Sequence, residues 1–451
     1  MRGTCTSARR TVTLGARGRA LAVNDLTVSV PLRGLPPAAR CTYRFLQGST
    51  SSPVGLFRTA PAPTADATVR FALSGDADAT PGPDGKPAFN GFQTYARMAA
   101  ERNDFNVNMG DTIYSDSEVN GAPVARTVPA KWAKYKLGLA LPPLRALRAA
   151  TGLYSHWDDH EFVNDFSVPE HGAALYAAGA KAFRDYAPVA TPGRLGLYRS
   201  VRWGRNVELF FLDERSFRSA KATAACKGDL APTAPAGVRA AFAAIAPPLG
   251  QPVPPGCLEA LNSPQRTMLG AAQLAAFRKA IRASTATWKL VLNEVPLMQL
   301  YTLPYDRWEG YGAARAALLE ALAGVRNVVV LTTDTHAHLI GEVRTRTLEA
   351  PGPDSTGIWE VVTGPVATNT FAKEIDSVLG AAGSGDFVTS LFLKPQPPRG
   401  IGLRCAATDV YGYAQVVATR TRLTVTPKAA VGGPVREKTG GVCAPLVLQA
   451  R

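Results

Sequence analysis

Aspartates and histidines recur in this sequence at one kind of place, just past the end of a short apolar run. FALSGDAD carries Asp76 and Asp78, NVNMGD carries Asp111, ELFFLDE carries Asp213, and VVVLTTDTHAH carries Asp334, His336 and His338. One Asp after a strand is a common turn or cap residue. Repeated on separate runs, with histidines beside the last, the pattern points to one shared site. Open α/β sheets collect ligands beyond the carboxyl ends of their strands. Carboxylates gathered there repel one another unless cations lie between them. The chemistry that fits is a metal centre of hard oxygen and nitrogen donors.

Two further segments add to the set. GLYSHWDDHEFVNDF packs Asp158, Asp159, His160 and Glu161 together amid Leu153, Tyr154, Trp157 and Phe162. Acids among such neighbours need partners, and a metal is one. GDTIYSD places Tyr114 three residues after Asp111; a tyrosine there most often packs on a sheet, but as a phenolate it is a hard anionic ligand suited to Fe(III). Asn293, at the end of the run Lys289–Asn293, is a further candidate, with Asp78, Asp158 and His338. No GxSxG elbow is present, which argues against a serine hydrolase.

The elements that must position these residues read as a mixed α/β sheet covered by helices. Apolar runs Val69–Ser74, Phe105–Met109, Val207–Leu212, Lys289–Asn293, Val328–Thr332 and Trp359–Val362 are expected strands. Ala/Leu/Arg periodicity predicts helices from about Phe89 to Arg102 and near 130–150, 172–186, 273–285 and 312–323. Tyr411–Thr426 alternates as a strand does. Residues 1–62 read as a small β-sandwich, with Thr11–Leu14, Leu26–Pro31 and Cys41–Leu46 strand-like, ending in a Pro-rich linker at Pro61–Pro63. Residues 66–451 read as the second domain, with 220–265, rich in Pro, Gly and Ala, as a surface insertion.

Composition bounds the rest. The chain has 451 residues, 46% apolar and 19% charged, enough for a large core. Its 50 basic and 35 acidic residues give a formal charge of +15, which attracts anions, although an Arg-rich composition explains the same excess. The basic residues form no run, so no nucleic-acid-binding tail is read. Six cysteines without a CxxC fit disulfides and an oxidising compartment; pairing of sequence neighbours gives Cys5–Cys41, Cys226–Cys257 and Cys405–Cys443, one of fifteen arrangements. No apolar stretch is long enough to span a membrane, and the first residues are basic with no apolar run behind them, so a secretion leader is not seen.

Taken in order, SGDAD, GDTIYSD, WDDHE, LDERSFR, DRWEGY and TDTHAH resemble the alkaline phosphatase D family, the PhoD-like metallophosphatases, and YRF…GSTSSPVGLFRTAP resembles that family's N-terminal domain. The resemblance implies a calcineurin-like metallophosphoesterase α/β sandwich behind a small N-terminal β-sandwich, and an extracytoplasmic phosphomonoesterase or phosphodiesterase. It implies two or more metal ions, Fe(III) with Ca2+, with Mn or Zn admissible. By position it makes Asp111 the bridging ligand, Tyr114 the iron-binding tyrosine, and Asp334 and His336 the last ligand pair. Asp159 and His160 fall on its acidic-His motif, and Asp213 and Arg215 on one expected near the bound phosphate. Asp76 stands where some members carry a cysteine, which leaves the metal's identity open. On this reading a metal-activated water attacks phosphorus, His160 protonates the leaving oxygen or steadies the phosphate, and Arg215 neutralises phosphoryl charge. The catalytic set is then His160, Arg215 and Asp213; the metal set is Asp76, Asp111, Tyr114, Asp159, Asp334 and His336. The expected partner is a phosphate mono- or diester, acted on by a monomer. Two alternatives stand beside it: a phosphodiesterase or phospholipase D-type enzyme acting on anionic lipids or teichoic acid, and a non-catalytic binder of cell-wall polymer stabilised by metal.

Overall fold

The computed structural model of the chain describes residues 1–189, 193–393 and 396–451. The N-terminal part forms a four-stranded antiparallel sheet in the order β2-β1-β3-β6, from β1 (Arg2–Thr6), β2 (Thr11–Gly15), β3 (Arg40–Arg44) and β6 (Gly55–Arg58). A two-stranded ribbon of β4 (Leu46–Gln47) and β5 (Thr50–Ser51) lies between β3 and β6 in sequence. Leu26–Pro31, expected as a strand, is not one. Asp25 and Leu26 take left-handed φ values of 49° and 60°, which turn the chain out of any ladder. Asn24 and Asp25 instead accept hydrogen bonds from Lys181 and Lys136, at 2.9 and 2.8 Å, seating this turn on the helices Ala173–Tyr186 and Val128–Ala140.

Two larger sheets follow. One has six strands in the order β19-β18-β17-β7-β8-β9: β7 (Val69–Ser74), β8 (Phe105–Met109) and β9 (Gly152–His156) run parallel, and β17 (Gly412–Ala418), β18 (Arg422–Ala429) and β19 (Leu446–Gln449) are antiparallel. The other has seven, β10-β11-β12-β13-β15-β14-β16: β11 (Val207–Phe211), β12 (Trp288–Asn293), β13 (Val328–Thr332) and β15 (Asp354–Val362) are parallel, with β10 (Arg199–Trp203), β14 (His338–Arg346) and β16 (Cys405–Ala407) antiparallel at the flanks.

The side-chain period of two sorts these strands into layers. Phe71, Leu73, Phe105 and Val107 of the first sheet pack against Leu209, Phe211, Leu290, Leu292 and Leu331 of the second, and all are buried. The opposite residues of the seven-stranded sheet, Phe210, Val291 and Val330, meet Phe277, Ile281, Leu318 and Leu322 of the helices Gly270–Ala283 and Gly312–Leu322. Ala72 and Tyr413 of the six-stranded sheet meet Tyr95, Met98 and Leu147 of the helices Gln93–Ala100 and Pro142–Ala150. The result is four layers, helix–sheet–sheet–helix, with each sheet covered on both faces. That double burial is why the parallel strands read as unbroken apolar runs. Each large apolar side chain buried here contributes about 1.5–3 kcal/mol against exposure.

Segment 220–265 is folded onto this core. Ala231, Phe242 and Leu249 join the helix-side cluster, Arg239 binds Asp229 at 2.8 Å, and Cys226 is bonded to Cys257. The other disulfides join Cys5 to Cys41, opposite each other on β1 and β3, and Cys405 to Cys443. All three pairings are those of nearest sequence neighbours. No helix among the described residues is long and apolar enough to cross a membrane.

Candidate metal centre

The carboxyl ends of the parallel strands from both sheets open on one edge of the sandwich. From β7 the chain turns into Asp76, from β8 into Asp111, from β9 into Asp158, Asp159 and His160, and from β13 into Asp334 and His336. Four of these residues have left-handed backbone: Asp76 at φ 63°, Asp111 at 50°, Asp334 at 64° and His336 at 54°. Such residues are costly outside glycine and cluster where a structure must aim side chains.

The side chains converge as four overlapping groups whose donor atoms lie within 4.8 Å of one another: Asp76–Asp111–His336, Asp111–Asp159–His160, Asp158–Asp159–Asp334 and Asp159–Asp165–Asp306. Asp111 belongs to two of the groups and Asp159 to three. Tyr114 joins the first, its hydroxyl 2.9 Å from His336 Nε2. The centre draws on both sheets, with Asp76, Asp111 and Asp159 from one and Asp334 and His336 from the other.

A surrounding set of groups orients these side chains. Glu374 holds His336 Nδ1 and Asp116 holds His160 Nδ1, each at 2.6 Å. The His160 ring stacks on Tyr114 with centroids 4.0 Å apart. Glu161 accepts the amide hydrogens of Asp111, Thr112 and Asp158, so one buried carboxylate ties the β8 turn to the β9 turn. Asp334 N–H donates to Asp76 Oδ1 at 3.2 Å and His160 N–H to Asp111 Oδ1 at 3.1 Å. Room is made by glycine: a Cβ on Gly364 would fall 2.3 Å from Asp76 Oδ2, and one on Gly110 2.3 Å from the Asp158 side chain.

Burial dominates the electrostatics. Desolvation raises Asp76 to about 6, and carries Asp111, Asp158 and Asp334 well above the usual carboxylate range, with neighbouring carboxylates adding to the rise. Tyr114 is pushed up by burial and then by Asp111 and Asp76. Burial opposes a charge on His160, but Asp159, Asp111 and Asp116 outweigh it and hold its pKa well above the histidine norm. His336 is raised likewise, burial being outweighed by Glu374 and Asp76. Asp76 Oδ2, Asp158 Oδ2 and Asp159 Oδ1 are buried with no hydrogen-bond partner. Unpartnered buried carboxylate oxygens facing one another are a donor set for cations, so these residues fit metal ions.

Several expected residues sit differently. Arg215 is fully buried beneath the centre; its guanidinium donates to Asp158, to Asp306 at 2.9 Å and to Asp334 at 3.3 Å. With its donors committed to carboxylates it does not face the pocket, which corrects its expected contact with phosphate. Asp213 accepts from the backbone N–H of Leu197, Arg215 and Ser216 and from Trp157 Nε1, so it holds the turn after β11 and does not reach the reacting groups. Asn293 donates to Val295 O and accepts from Trp308 Nε1, and His338 Nδ1 meets Thr363 Oγ1 at 3.2 Å; neither joins the four groups. Asp78 reaches the pocket wall but is engaged by Thr80 N–H and Ser117 Oγ. In exchange the fold contributes Asp116, Asp165, Asp306 and Glu374, none assigned from the sequence. Asp306 heads the DRWEGY motif, the one signal that marked it.

The groups open into a pocket of about 430 Å³ whose outer wall carries Leu303, Phe371, Ile375 and Val378. A larger groove of about 1250 Å³ lies at the opposite edge, by the start of β12 and β13. It gathers no group of metal-binding side chains among the described residues, so the chemistry belongs to the smaller pocket.

Known proteins are similar to this chain in sequence and fold. Alkaline phosphatase D of Bacillus subtilis (strain 168) is 26% identical over 353 residues, 69% of this chain and 53% of that protein, so the chain spans about half the length of this curated relative. A solved structure of PhoD superposes with a TM-score of 0.72 at 20% identity, covering 99% of this chain and 81% of the other. Purple acid phosphatase PPD1 from yellow lupin (Lupinus luteus) seeds superposes with a TM-score of 0.57 at 13% identity, covering 99% and 69%. At these identities the superpositions speak for the fold, a metallophosphoesterase sandwich. The sequence pattern of the PhoD-like phosphatases matches residues 84–425, three-quarters of the chain, and the chain belongs to that family.

Proposed function

We propose that this chain is a metal-dependent phosphoric-ester hydrolase. The observation that carries the reading is the chain of ligand groups sharing Asp111 and Asp159 at the carboxyl ends of strands from both sheets. Adjacent cations held by shared carboxylates are the arrangement that grips a phosphoryl group from two sides. Asp76, Asp111, Tyr114 and His336 would hold one ion, and Asp159 with Asp111, Asp158 and Asp334 its neighbours. The donors are oxygen and nitrogen with no thiolate, a set suited to Fe(III), Ca2+ or Mn2+; Fe(III) with Ca2+ is the pair favoured by the family resemblance. When bound, the ions supply charge neutralisation and acidify a water molecule that attacks phosphorus.

The chain's own groups supply the rest. His160, its Nδ1 held by Asp116 and its ring beside Asp111 and Asp159, donates a proton to the departing oxygen. Arg215 and Asp213 act as positioning residues: the first spaces Asp158, Asp306 and Asp334, the second fixes the turn that delivers Arg215. Three disulfides favour an extracytoplasmic setting.

A second reading, a diesterase acting on an ester with an apolar group, is favoured by the apolar wall. Leu303, Ile375 and Val378 line the pocket together, with a void of only about 30 Å³ behind them, and Val378 is 58% exposed. Elemental analysis of the purified protein, with alkyl monoester, diester and phospholipid hydrolysis measured before and after chelation, tests both readings. Bound metal with chelator-sensitive hydrolysis is expected. A metal-replete protein inert on all three substrates would refute the proposed function.

A further inference from the structure

Among the described residues, the pocket over the metal centre is lined by many carboxylates, by His160 and His336, and by one arginine, Arg307, with no lysine. The other cations nearby are spent elsewhere. Arg215 is saturated by Asp158, Asp306 and Asp334, Arg218 donates to Asp306 and Tyr311, and Lys221 pairs with Asp165 at 2.6 Å. Lys131 is closed in behind Ser115 and Phe162. A phosphate ester entering this pocket therefore meets one guanidinium, that of Arg307, besides the two histidines of the centre.

Arg307 is placed and prepared for that contact. It follows Asp306, which the Arg215 and Arg218 guanidiniums hold, so its backbone position is tied to the floor of the centre. Its Nη1 donates to Thr302 O at 2.8 Å, and its guanidinium lies 6.0 Å from the ring centre of Phe371, on the same pocket wall. These contacts restrain the side chain while using one edge of the planar fork. Nε and Nη2 make no hydrogen bond or ion pair with the described residues and are not sealed from solvent. A restrained guanidinium with a free edge is suited to the paired oxygens of a phosphoryl group.

We infer that Arg307 is the phosphate-gripping residue of this site, its free edge binding the phosphoryl oxygens that the metals leave exposed, the role the sequence assigned to Arg215. The inference rests on the hydrolase reading above. The test is calorimetric titration of inorganic phosphate into metal-loaded wild type, Arg307→Gln and Arg307→Lys, with metal content, melting temperature and ester KM recorded for each. Arg307→Gln should bind phosphate about 10–100-fold more weakly, at unchanged metal content and melting temperature, as expected for loss of a charge-assisted bidentate contact. Arg307→Lys keeps the charge but not the fork and should fall between; it also serves as the probe if the glutamine variant does not fold. Phosphate affinity in Arg307→Lys equal to wild type, weakening only in step with metal loss, or wild-type binding by Arg307→Gln would each overturn the assignment. Wild-type protein that neither binds phosphate nor hydrolyses any ester would bring down the hydrolase reading, and this one with it. An active wild type with an indifferent Arg307 would bring down this one alone.

Discussion

His160 shows how much a single side chain's surroundings decide. Asp116 fixes its Nδ1 and Tyr114 covers its face, so the ring has one free nitrogen, and the surrounding carboxylates favour its protonated form. An alkoxide is a poor leaving group and gains most from a proton donor, whereas a nitrophenolate departs without one. His160→Asn should slow alkyl esters by about 100-fold or more and aryl esters much less, measured as kcat with metal content followed in parallel. Loss of metal alongside activity would make His160 a ligand, which its membership of the Asp111–Asp159 group also permits. At this scale the sequence was readable where an acid followed an apolar run. Asp76, Asp111, Asp334 and, beside it, His336 were marked that way, Asp159 by its acidic cluster among aromatic residues, and the structure brings them together. Asp116 and Glu374 were not, because a carboxylate in a loop or on a helix has no period that separates it from a solvated charge. Arg215 was found but misplaced: sequence cannot say whether a guanidinium's donors are already taken.

At the scale of elements, the left-handed turns after the strands do the aiming, and Gly364 is the part of that device most open to test. A methyl group there would press on Asp76 Oδ2, and the residue's φ of 125° disfavours any side chain. On the proposed ligand assignment, Gly364→Ala should displace Asp76 and weaken metal binding by the Asp76–Asp111–His336 group, while binding on the Asp159 side stays; titrating metal against each variant separates the two. The helix Val128–Ala140 offers a pH prediction. Its Lys131 is buried against Ser115 Oγ and Phe162 O, and desolvation lowers its pKa to about 7. The folded state then binds fewer protons than the unfolded state between about pH 7 and the ordinary lysine value, so this group's contribution to stability is greatest above that value and falls as pH drops toward 7. Denaturant midpoints at pH 7 and 9.5 should show wild type gaining on Lys131→Met as pH rises, by roughly 1.4 kcal/mol for each unit of the shift spanned. Equal pH dependence in both proteins would show that Lys131 stays charged. The doubly covered strands were legible as apolar runs. The strand β9, with Leu153 and Tyr154 as its only large apolar residues, was not, nor were the helices Phe371–Leu379 and Ser384–Leu393, whose patterns are short and broken by polar residues.

For the molecule as a whole, order along the chain carried more than any single stretch. Six short motifs in sequence pointed to the sandwich, and the three neighbouring cysteine pairs are those formed. Pairing between the sheets, and the folding of 220–265 against the core, depended on contacts between residues far apart in sequence and had no local signature. Cys405–Cys443 joins β16 of one sheet to the segment leading into β19 of the other, at one place along the sandwich. At the edge where the parallel strands end, by contrast, the two sheets face each other through clustered carboxylates, bridged in part by Arg215 between Asp158 and Asp334. An ion bound by Asp76, Asp111 and His336 would have ligands from both sheets, and would act there as a rivet across a seam. Protein stripped of metal should therefore loosen first along that edge, with amide hydrogens of the turns after β7, β8 and β13 exchanging faster than those mid-strand. Its melting temperature should climb with free metal concentration, by about 2.7 kcal/mol of added stability at a hundredfold excess over the dissociation constant. For such a protein, a medium poor in metal is a mechanical hazard before it is a catalytic one.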